Sequence, residues 1–182
     1  MSKNVLLGLT GSVASNRAFD IIGRLKRNGF NVKVVATETA LRFVTLDSLK
    51  VRSGQDVLVD MFDDSETMTP HIKYTQEADV ILIAPASANT IAKLAYGMAD
   101  NALTTCCLAA TCDKLIAPAM NTRMYENEAT QDNLATLRRR GWQIIEPRSG
   151  QLACGDCGKG KLASVDEIVE AVLSLEQKQA VS

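Results

Sequence analysis

The sequence predicts an α/β fold, an open parallel sheet with helices on both faces. Two continuous apolar runs, residues 5–9 and 80–84, have the composition of strands buried on both faces of a parallel sheet. Each run passes into a turn of small polar residues and then into a stretch with helical periodicity, which is the order of a βαβ unit. The predicted class is therefore a Rossmann-like (flavodoxin-like) single domain.

Composition limits the function classes that need to be considered. A chain of 182 residues has the length of one domain, and we expect that domain over residues 1–175 with a polar tail over 176–182. The formal net charge of −1 provides no basic excess for nucleic acid. No run approaches the ~20 apolar residues of a membrane span, and Gly8 and Thr10 interrupt the apolar start, unlike a signal peptide. Five cysteines at irregular spacing indicate a reducing, cytoplasmic location rather than a disulfide framework.

The first βαβ unit occupies residues 5–36. After the first strand, apolar residues at positions 18, 21, 22 and 25 mark one face of a helix, and Gly29 is placed to end it. Residues 31–36 then alternate as a second strand, with Thr37, Glu38 and Thr39 at its carboxyl end.

The turn after the first strand contains Gly11 and Ser12. Such a turn can present backbone N–H groups and a hydroxyl to a phosphate, although a tight structural turn explains it equally well. The G-x-G-x-x-G pattern of dinucleotide sites is absent, which favours one phosphate over a pyrophosphate. Flavin mononucleotide (FMN) is a natural candidate.

Residues 56–70 are acidic and lack periodicity, which indicates a solvated loop more than a metal site. His71, the only histidine, follows this loop and precedes a short helix predicted over 72–78. A lone histidine is often structural, but this position permits a catalytic proton acceptor.

The central strand, residues 80–84, is expected to end at Pro85, because proline has no N–H for the sheet. Ser87, Ala88, Asn89 and Thr90 follow, before a helix predicted over 91–96. Small side chains at the carboxyl end of a strand let a ligand approach the backbone, while a plain strand–turn–helix connection is the alternative.

The second half of the chain repeats the alternation of helices and strands. We predict a helix over 101–110, with Cys106 and Cys107 as small core side chains, then a strand over 114–117 that Pro118 ends. Asn121 follows. A helix over 129–140 and a strand over 142–145 come next, and an amphipathic helix over 165–175 closes the chain.

Residues 149–161 hold glycines at 150, 155, 158 and 160, and this composition suits neither a helix nor a strand. We therefore interpret the segment as a lid. Cys154 and Cys157 form a C-x-x-C inside it. A zinc site lacks two convincing further ligands, and a redox pair would normally begin a helix, so both interpretations remain alternatives to a simple lid.

Five pieces of sequence together resemble the homo-oligomeric flavin-containing cysteine decarboxylases. They are Gly11-Ser-Val-Ala14, His71-Ile72, Pro85-Ala-Ser-Ala-Asn-Thr90, Pro118-Ala-Met-Asn-Thr-Arg-Met124 and Ala153-Cys-Gly-Asp…Gly158-Lys-Gly160. The resemblance covers residues 5–175, and within the family it is strongest to the members that act on 4′-phosphopantothenoylcysteine.

This resemblance implies FMN-dependent decarboxylation of 4′-phosphopantothenoylcysteine to 4′-phosphopantetheine in coenzyme A biosynthesis. The flavin would oxidise the carbon–sulfur unit to a thioaldehyde, CO2 would leave, and the product would be re-reduced. The resemblance also implies a homo-oligomer, either a trimer or a dodecamer of trimers. Neither metal, membrane nor nucleic acid is expected.

The resemblance assigns roles to residues of this chain. His71 would act as base, Asn121 would bind the substrate carboxylate with Met120 and Met124 beside it, and Cys154 would donate the proton. FMN would be contacted by Gly11, Ser12, Val13, Thr37, Glu38, Thr39, Ser87, Ala88, Asn89, Thr90 and Ala119. Two positions depart from the family pattern: Tyr125 stands where the family usually has Trp, and Lys161 where it usually has Arg.

Three related functions are alternatives. A lantibiotic-type peptidyl-cysteine decarboxylase stops at the oxidised enethiol and needs no lid cysteine, so Cys154 argues against it. Flavin prenyltransferases share the fold, but are not expected to combine His71, Asn121 and Cys154. A non-catalytic regulatory relative would lose catalytic residues and carry long acidic extensions, and this sequence shows neither feature.

Overall fold

A computed structural model describes residues 3–62, 69–152 and 155–180, with side chains described as far as residue 175. Short 3-10 helices lie at Val13–Arg17 and Ala40–Arg42. The strands are β1 (Asn4–Leu9), β2 (Asn31–Ala36), β3 (Val57–Leu58), β4 (Val80–Ala86), β5 (Asp113–Pro118), β6 (Gln143–Ile144), β7 (Arg148–Gln151) and β8 (Cys157–Lys161). The α-helices are α1 (Ala18–Arg27), α2 (Leu46–Ser53), α3 (Pro70–Gln76), α4 (Ala88–Tyr96), α5 (Ala102–Ala109), α6 (Thr122–Glu126), α7 (Glu128–Arg139) and α8 (Val165–Ala180).

In the described part of the chain, six strands form one parallel sheet in the order β3-β2-β1-β4-β5-β6. This is the Rossmann order, and without the two-residue edge strand β3 it is the flavodoxin order. The predicted α/β class is therefore confirmed. The order reverses between β1 and β4, and ligands of open α/β sheets bind at the carboxyl ends of the strands at such a point.

Alternate side chains of the central strands face two separate apolar layers. Val5, Leu7 and Leu9 of β1 belong to a cluster with residues of α1, α2 and α8. Leu6 of β1 belongs to a second cluster with residues of α4, α5 and α7. The helices thus cover both faces, as the continuous apolar runs predicted. None of the described helices is long and apolar enough to cross a membrane.

The buried hydroxyl of Thr10 joins the two strands at which the sheet order reverses. Thr10 follows β1 and is 0% exposed. Its Oγ1 donates to the Pro85 carbonyl oxygen at 2.8 Å and accepts from the Ser87 N–H at 2.8 Å. Its own carbonyl accepts from the Ser15 hydroxyl at 2.8 Å. One side chain therefore fixes the loop after β1 against the loop after β4.

Several element boundaries differ from the sequence expectation. Strand β4 does not stop at Pro85 but runs to Ala86. Its register against β5 shifts between Ile83 and Ala86. Proline is tolerated at such irregularities of a sheet. Helix α3 begins at Pro70, so that His71 lies inside the helix rather than before it.

Other elements were missed or shortened by the sequence analysis. Helix α4 begins at Ala88 because Ser87 caps it, three residues before the expected start. Helix α2 was not predicted, and β3 occupies part of the segment predicted as an acidic loop. The acidic residues Asp63, Asp64 and Glu66 lie outside the described residues.

The predicted lid is a β-hairpin rather than an irregular loop, which corrects the sequence interpretation. Strands β7 and β8 pair antiparallel, with Gly150 opposite Gly158. A Cβ on Gly158 would lie 2.6 Å from Thr122 Oγ1, and a Cβ on Gly160 would lie 2.3 Å from the Met120 carbonyl oxygen. The glycines are therefore needed for close packing of the hairpin against the segment after β5, and they do not prevent strand formation.

The carboxylate of Glu146 anchors this hairpin to the body of the domain. It accepts hydrogen bonds from Tyr125 Oη at 2.9 Å, Lys159 Nζ at 2.8 Å and Arg138 at 2.5 Å. These donors belong to α6, β8 and α7, respectively. The Lys159 ammonium also lies 5.4 Å from the centre of the Tyr125 ring, a cation–π distance.

Burial opposes ionisation of Glu146, but hydrogen bonds from Lys159 and Tyr125 outweigh it, and the pKa of Glu146 is lowered. The hydrogen bond to Glu146 raises the pKa of Lys159. The stabilisation by Glu146 is complete above its ordinary pKa of 4.5 and is lost as pH falls through the lower folded-state value. The stabilisation by Lys159 is complete below its ordinary pKa of 10.5. It is lost as pH rises through the higher pKa of the folded state.

Replacement of Thr10 tests the bridge between β1 and β4. Thr10→Val keeps the side-chain volume but leaves a buried carbonyl and a partly buried N–H without their partner, and we expect the free energy of unfolding to fall by about 2–4 kcal/mol. Urea unfolding measures this change. The control is Thr136→Val, at a partly exposed position of α7. It should lower the free energy of unfolding by less than about 0.5 kcal/mol. Equal effects of the two substitutions would contradict the bridging role.

Replacement of Glu146 tests the anchor and its pH dependence. Glu146→Gln removes the charge, and because the ion pairs are half-exposed we expect a loss of only about 1 kcal/mol at pH 7. The difference from the parent protein should shrink at pH 4, where protonation of Glu146 begins to weaken the anchor in the parent as well. Urea unfolding at the two pH values measures this, with the exposed Glu170→Gln as control. A difference that does not depend on pH would show that the charge of Glu146 is unimportant.

Candidate active site

Two cavities open at the carboxyl edge of the sheet. The larger, about 690 Å³, lies between the 3-10 helix after β1, the segment after β5, the β7–β8 hairpin and the start of α8. We call it the lid cavity. The second cavity, about 350 Å³, lies between the segments after β2 and β3 and the start of α4. The lid cavity has a volume typical of small-molecule sites.

The predicted site residues divide between these two cavities. The lid cavity is lined by Ser12, Val13, Ala119, Met120 and Asn121. The second cavity is lined by Thr37, Glu38, Thr39, Asn89 and Thr90. Five further predicted residues line neither: Gly11, His71, Ser87, Ala88 and Met124. Cys154 lies outside the described residues.

Gly11 nevertheless connects the two sets. A Cβ at this position would lie 2.8 Å from Thr39 Oγ1, so the turn after β1 touches the turn after β2. The hydroxyl oxygens of Thr37 and Thr39 are 3.0 Å apart. Only a residue without a side chain allows this contact.

Hydroxyl groups and the N-terminus of α4 lie at this edge, and groups of this kind can bind a phosphate. Ser87 caps α4, with its Oγ accepting from the Thr90 N–H at 3.3 Å. The geometry of a helix leaves the N–H groups of Ala88 and Asn89 without carbonyl partners inside α4, and the helix dipole favours an anion there.

The turn after β1 adds further groups. Ser12 caps the 3-10 helix after β1 through the Ala14 N–H. Val13, Ala119 and Met120 supply apolar surface for a planar ring. These residues fit a phosphate-bearing ligand with a planar ring, as flavin mononucleotide is.

Asn121 is held between the segment after β5 and the hairpin. Its Oδ1 accepts from the Arg123 N–H at 2.9 Å, and its Nδ2 donates to Asp156 Oδ2 at 2.9 Å. The neighbouring Met120 N–H donates to the Gly160 carbonyl oxygen at 3.0 Å. The amide of Asn121 therefore has a fixed orientation at the wall of the lid cavity, and an amide nitrogen can donate to a carboxylate.

His71 lies apart from Asn121 in the single chain. It belongs to α3, which packs on α5, and its carbonyl oxygen accepts from the Thr75 hydroxyl at 2.8 Å. Its Nδ1 is buried, and no described group is its hydrogen-bond partner. The structure thus places Asn121 in one cavity with Ser12 and Val13, while His71 lines neither of the two cavities.

The cysteines fall into two groups. Cys106 and Cys107 are buried, which confirms their predicted core role, and burial raises the pKa of the Cys106 thiol to about 12. Cys157 is an exposed free thiol at the start of β8. Because Cys154 is outside the described residues, the zinc and redox interpretations of the C-x-x-C remain untested. Across the described ranges no three His, Cys, Asp or Glu side chains are grouped to hold a metal.

Several residues of this region were not predicted as site residues. Thr10 gave no signal, because a threonine after a strand is ordinary until its partners in β4 are known. Arg17, Arg148 and Lys161 also line the lid cavity. The charge of the hairpin residues was visible in the sequence, but their convergence depends on the strand register.

Comparison with known proteins gives relatives for the whole described region. The sequence profile described as Flavoprotein matches residues 1–176. A probable phosphopantothenoylcysteine decarboxylase of Streptococcus mutans is 43% identical over 175 residues, covering 94% of this chain and 98% of the relative. The coenzyme A biosynthesis bifunctional protein CoaBC of Mycobacterium bovis is 41% identical over 179 residues. This match covers 98% of the present chain but only 43% of the length of the bifunctional relative.

Solved structures show the same fold. A cysteine-to-serine mutant of PPC decarboxylase complexed with pantothenoylaminoethenethiol superimposes with a TM-score of 0.86 at 32% identity, over 97% of this chain and 100% of that one. The FMN-dependent cysteine decarboxylase SpaF gives a TM-score of 0.85 at 28% identity, over 99% and 98% of the two chains. With a family profile that matches nearly its full length and relatives above 40% identity, this chain belongs to the flavoprotein family.

Proposed function

We propose that this chain is a carboxy-lyase that uses FMN to convert 4′-phosphopantothenoylcysteine into 4′-phosphopantetheine. The observation that carries the proposal is the fixed amide of Asn121, which shares a cavity with the Ser12–Val13 turn. Similarity to the Streptococcus mutans protein over 98% of its length supports the assignment of substrate.

We also propose a cytoplasmic location, which the unpaired thiols of the described cysteines support.

The residues at the sheet edge would hold FMN through the groups already described. Ser12, Thr37, Thr39 and the first N–H groups of α4 suit a phosphate and a hydroxylated chain, and Ala119 and Met120 suit a ring. When bound, FMN supplies an electron acceptor for the carbon–sulfur unit and returns the electrons after CO2 has left.

Asn121 would bind the substrate carboxylate through its amide nitrogen. Its bonds to the Arg123 N–H and to Asp156 fix the amide before substrate arrives, so that little orientation is lost on binding. The hairpin that carries Asp156 lines one side of the same cavity. Loss of the carboxylate then occurs at a defined place beside the ring-binding wall.

His71 would accept the substrate proton, and Cys154 would donate a proton to carbon in the second half-reaction. A neutral thiol with an ordinary pKa of ~8.5 still carries its proton at pH 7. Because His71 lines neither cavity of its own chain, we infer that a neighbouring subunit completes the site with its histidine. A homo-oligomer, as a trimer or a dodecamer of trimers, would serve this need.

Apolar side chains on the surface support such an assembly. Tyr96, Met98 and Leu108 are 77%, 51% and 62% exposed. All three lie at the ends of α4 and α5 or just beyond them, and exposed apolar groups of this size mark contact surfaces when they cluster.

Mixed oligomers test the roles of Asn121 and His71 together. Asn121→Asp places a second negative charge beside the substrate carboxylate, and His71→Asn removes the base, so neither variant alone should bleach bound FMN when substrate is added. If the two residues of one site come from different subunits, mixed and reassembled variants should recover part of the bleaching. Stopped-flow absorbance measures it. Undiminished bleaching in Asn121→Asp would remove this residue from the site, and no recovery on mixing would contradict a shared site.

Replacement of Cys154 separates the two half-reactions. In Cys154→Ser, oxidation and CO2 loss should proceed, while return of hydride should stall, because a serine hydroxyl is a far weaker acid than a thiol. The flavin should stay reduced after one turnover, and the oxidised enethiol should accumulate in place of 4′-phosphopantetheine. Mass spectrometry separates these products by two hydrogen atoms, and Cys157→Ser is the matched control. Normal yields of the saturated thiol from Cys154→Ser would rule out the proposed acid.

A further inference from the structure

We propose that Arg148 and Lys161 of the hairpin, with Arg17 across the cavity, form a binding site for a phosphate monoester. We assign this site to the 4′-phosphate of the substrate. The inference rests on the proposed function and extends it by naming the residues that distinguish a phosphorylated substrate from an unphosphorylated one.

The charges that line the lid cavity have one sign. Among the described residues, its charged lining consists of Arg17, Arg148 and Lys161. The lining of the second cavity is mixed and contains Glu38, Asp60 and Asp100 beside Lys93. A cavity with only cations in its described wall attracts an anion of more than one charge, and a phosphate monoester is such an anion.

The hairpin register brings two of these cations together. Arg148 and Lys161 are partners in the antiparallel pair, beside a shift of register between Arg148 and Ser149, and both residues line the lid cavity. Like charges paired across two strands are destabilising. The Lys161 side chain also crosses the hairpin, since a Cβ on Gly150 would lie 3.5 Å from Lys161 Cδ. An anion between the two cations would remove the repulsion that this register creates.

Arg148 and Arg17 each have an acidic neighbour that orients the guanidinium group without using all of its N–H donors. Arg148 Nε lies 2.9 Å from Glu167 Oε2, and Glu167 is itself held by the Ser164 N–H at 2.8 Å. This contact uses one of the five N–H donors of the guanidinium. Arg17 lies 3.6 Å from Asp20 in an exposed pair, and such pairs contribute little, so Arg17 can exchange Asp20 for a phosphate.

Two phosphates belong to the proposed reaction, one on the substrate and one on FMN. The hydroxyls suited to the cofactor phosphate at Thr37 and Thr39 line the second cavity. The cations instead share the lid cavity with Asn121, the proposed partner of the substrate carboxylate. Within one cavity, the substrate carboxylate would thus bind the amide of Asn121, and the substrate phosphate would bind the cations.

Binding of unreactive probes tests the inference without requiring turnover. We expect the FMN-loaded protein to bind 4′-phosphopantothenate about 10- to 100-fold more tightly than pantothenate, since charge-assisted hydrogen bonds to phosphate are strong. In Arg148→Gln/Lys161→Gln this preference should fall at least about tenfold, and in Lys161→Arg it should persist. Isothermal titration calorimetry measures both affinities, with Arg139→Gln/Arg140→Gln as a control that loses the same charge at the end of α7. Equal affinity of the parent for both probes, or an unchanged preference in the double variant, would overturn the proposal.

A second titration separates the two sources of phosphate. Flavin-free protein is titrated with FMN and with riboflavin, and the preference for FMN should be the same in the parent and in Arg148→Gln/Lys161→Gln. Loss of that preference while the preference for phosphorylated probe persists would assign the cations to the cofactor and overturn our assignment. A parent that prefers the phosphorylated probe but releases no CO2 from 4′-phosphopantothenoylcysteine would reject the proposed function and not the phosphate site.

Discussion

The hydroxyl of Thr10 is the contact on which the arrangement of the sheet edge depends. It binds a carbonyl and an N–H of the segment that ends β4, so the loops on either side of the reversal point cannot move independently. Ser87, whose N–H donates one of these bonds, is also the N-cap of α4. The position of the helix N-terminus is thereby set by the residue that follows β1. A phosphate held by backbone N–H groups, as we propose, would depend on this rigidity.

The hairpin combines close packing with electrostatic anchoring. Its glycines allow the backbone to contact Thr122 and Met120, and Glu146 ties Lys159 to α6 and α7. Tyr125 supplies one of those bonds through its hydroxyl. At neutral pH both ends of the Glu146–Lys159 pair are ionised, so the anchor is complete where the enzyme would work.

The chain alone gathers part of the proposed site. Asn121 and the Ser12–Val13 turn share one cavity, while the turn after β2 and the start of α4 share another. His71, with its buried Nδ1, stands apart from both. This division agrees with our proposal that a second copy of the chain completes the site.

The sequence by itself determined the fold class, the principal strands and the order of the motifs, because burial on both faces of a parallel sheet imposes continuous apolar runs that local pattern reveals. It also placed Gly11, Ser12 and Ser87 at strand ends, where small residues let a ligand approach the backbone and a plain structural turn is the alternative. It did not determine the bridge of Thr10, the hairpin over residues 148–161 or the pairing of Arg148 with Lys161. Those features depend on contacts between residues far apart in the chain and on strand register, and a shift of one residue would turn every side chain to the other face. Only the tertiary structure could decide which hydroxyl, which glycine and which cations meet at the cavity.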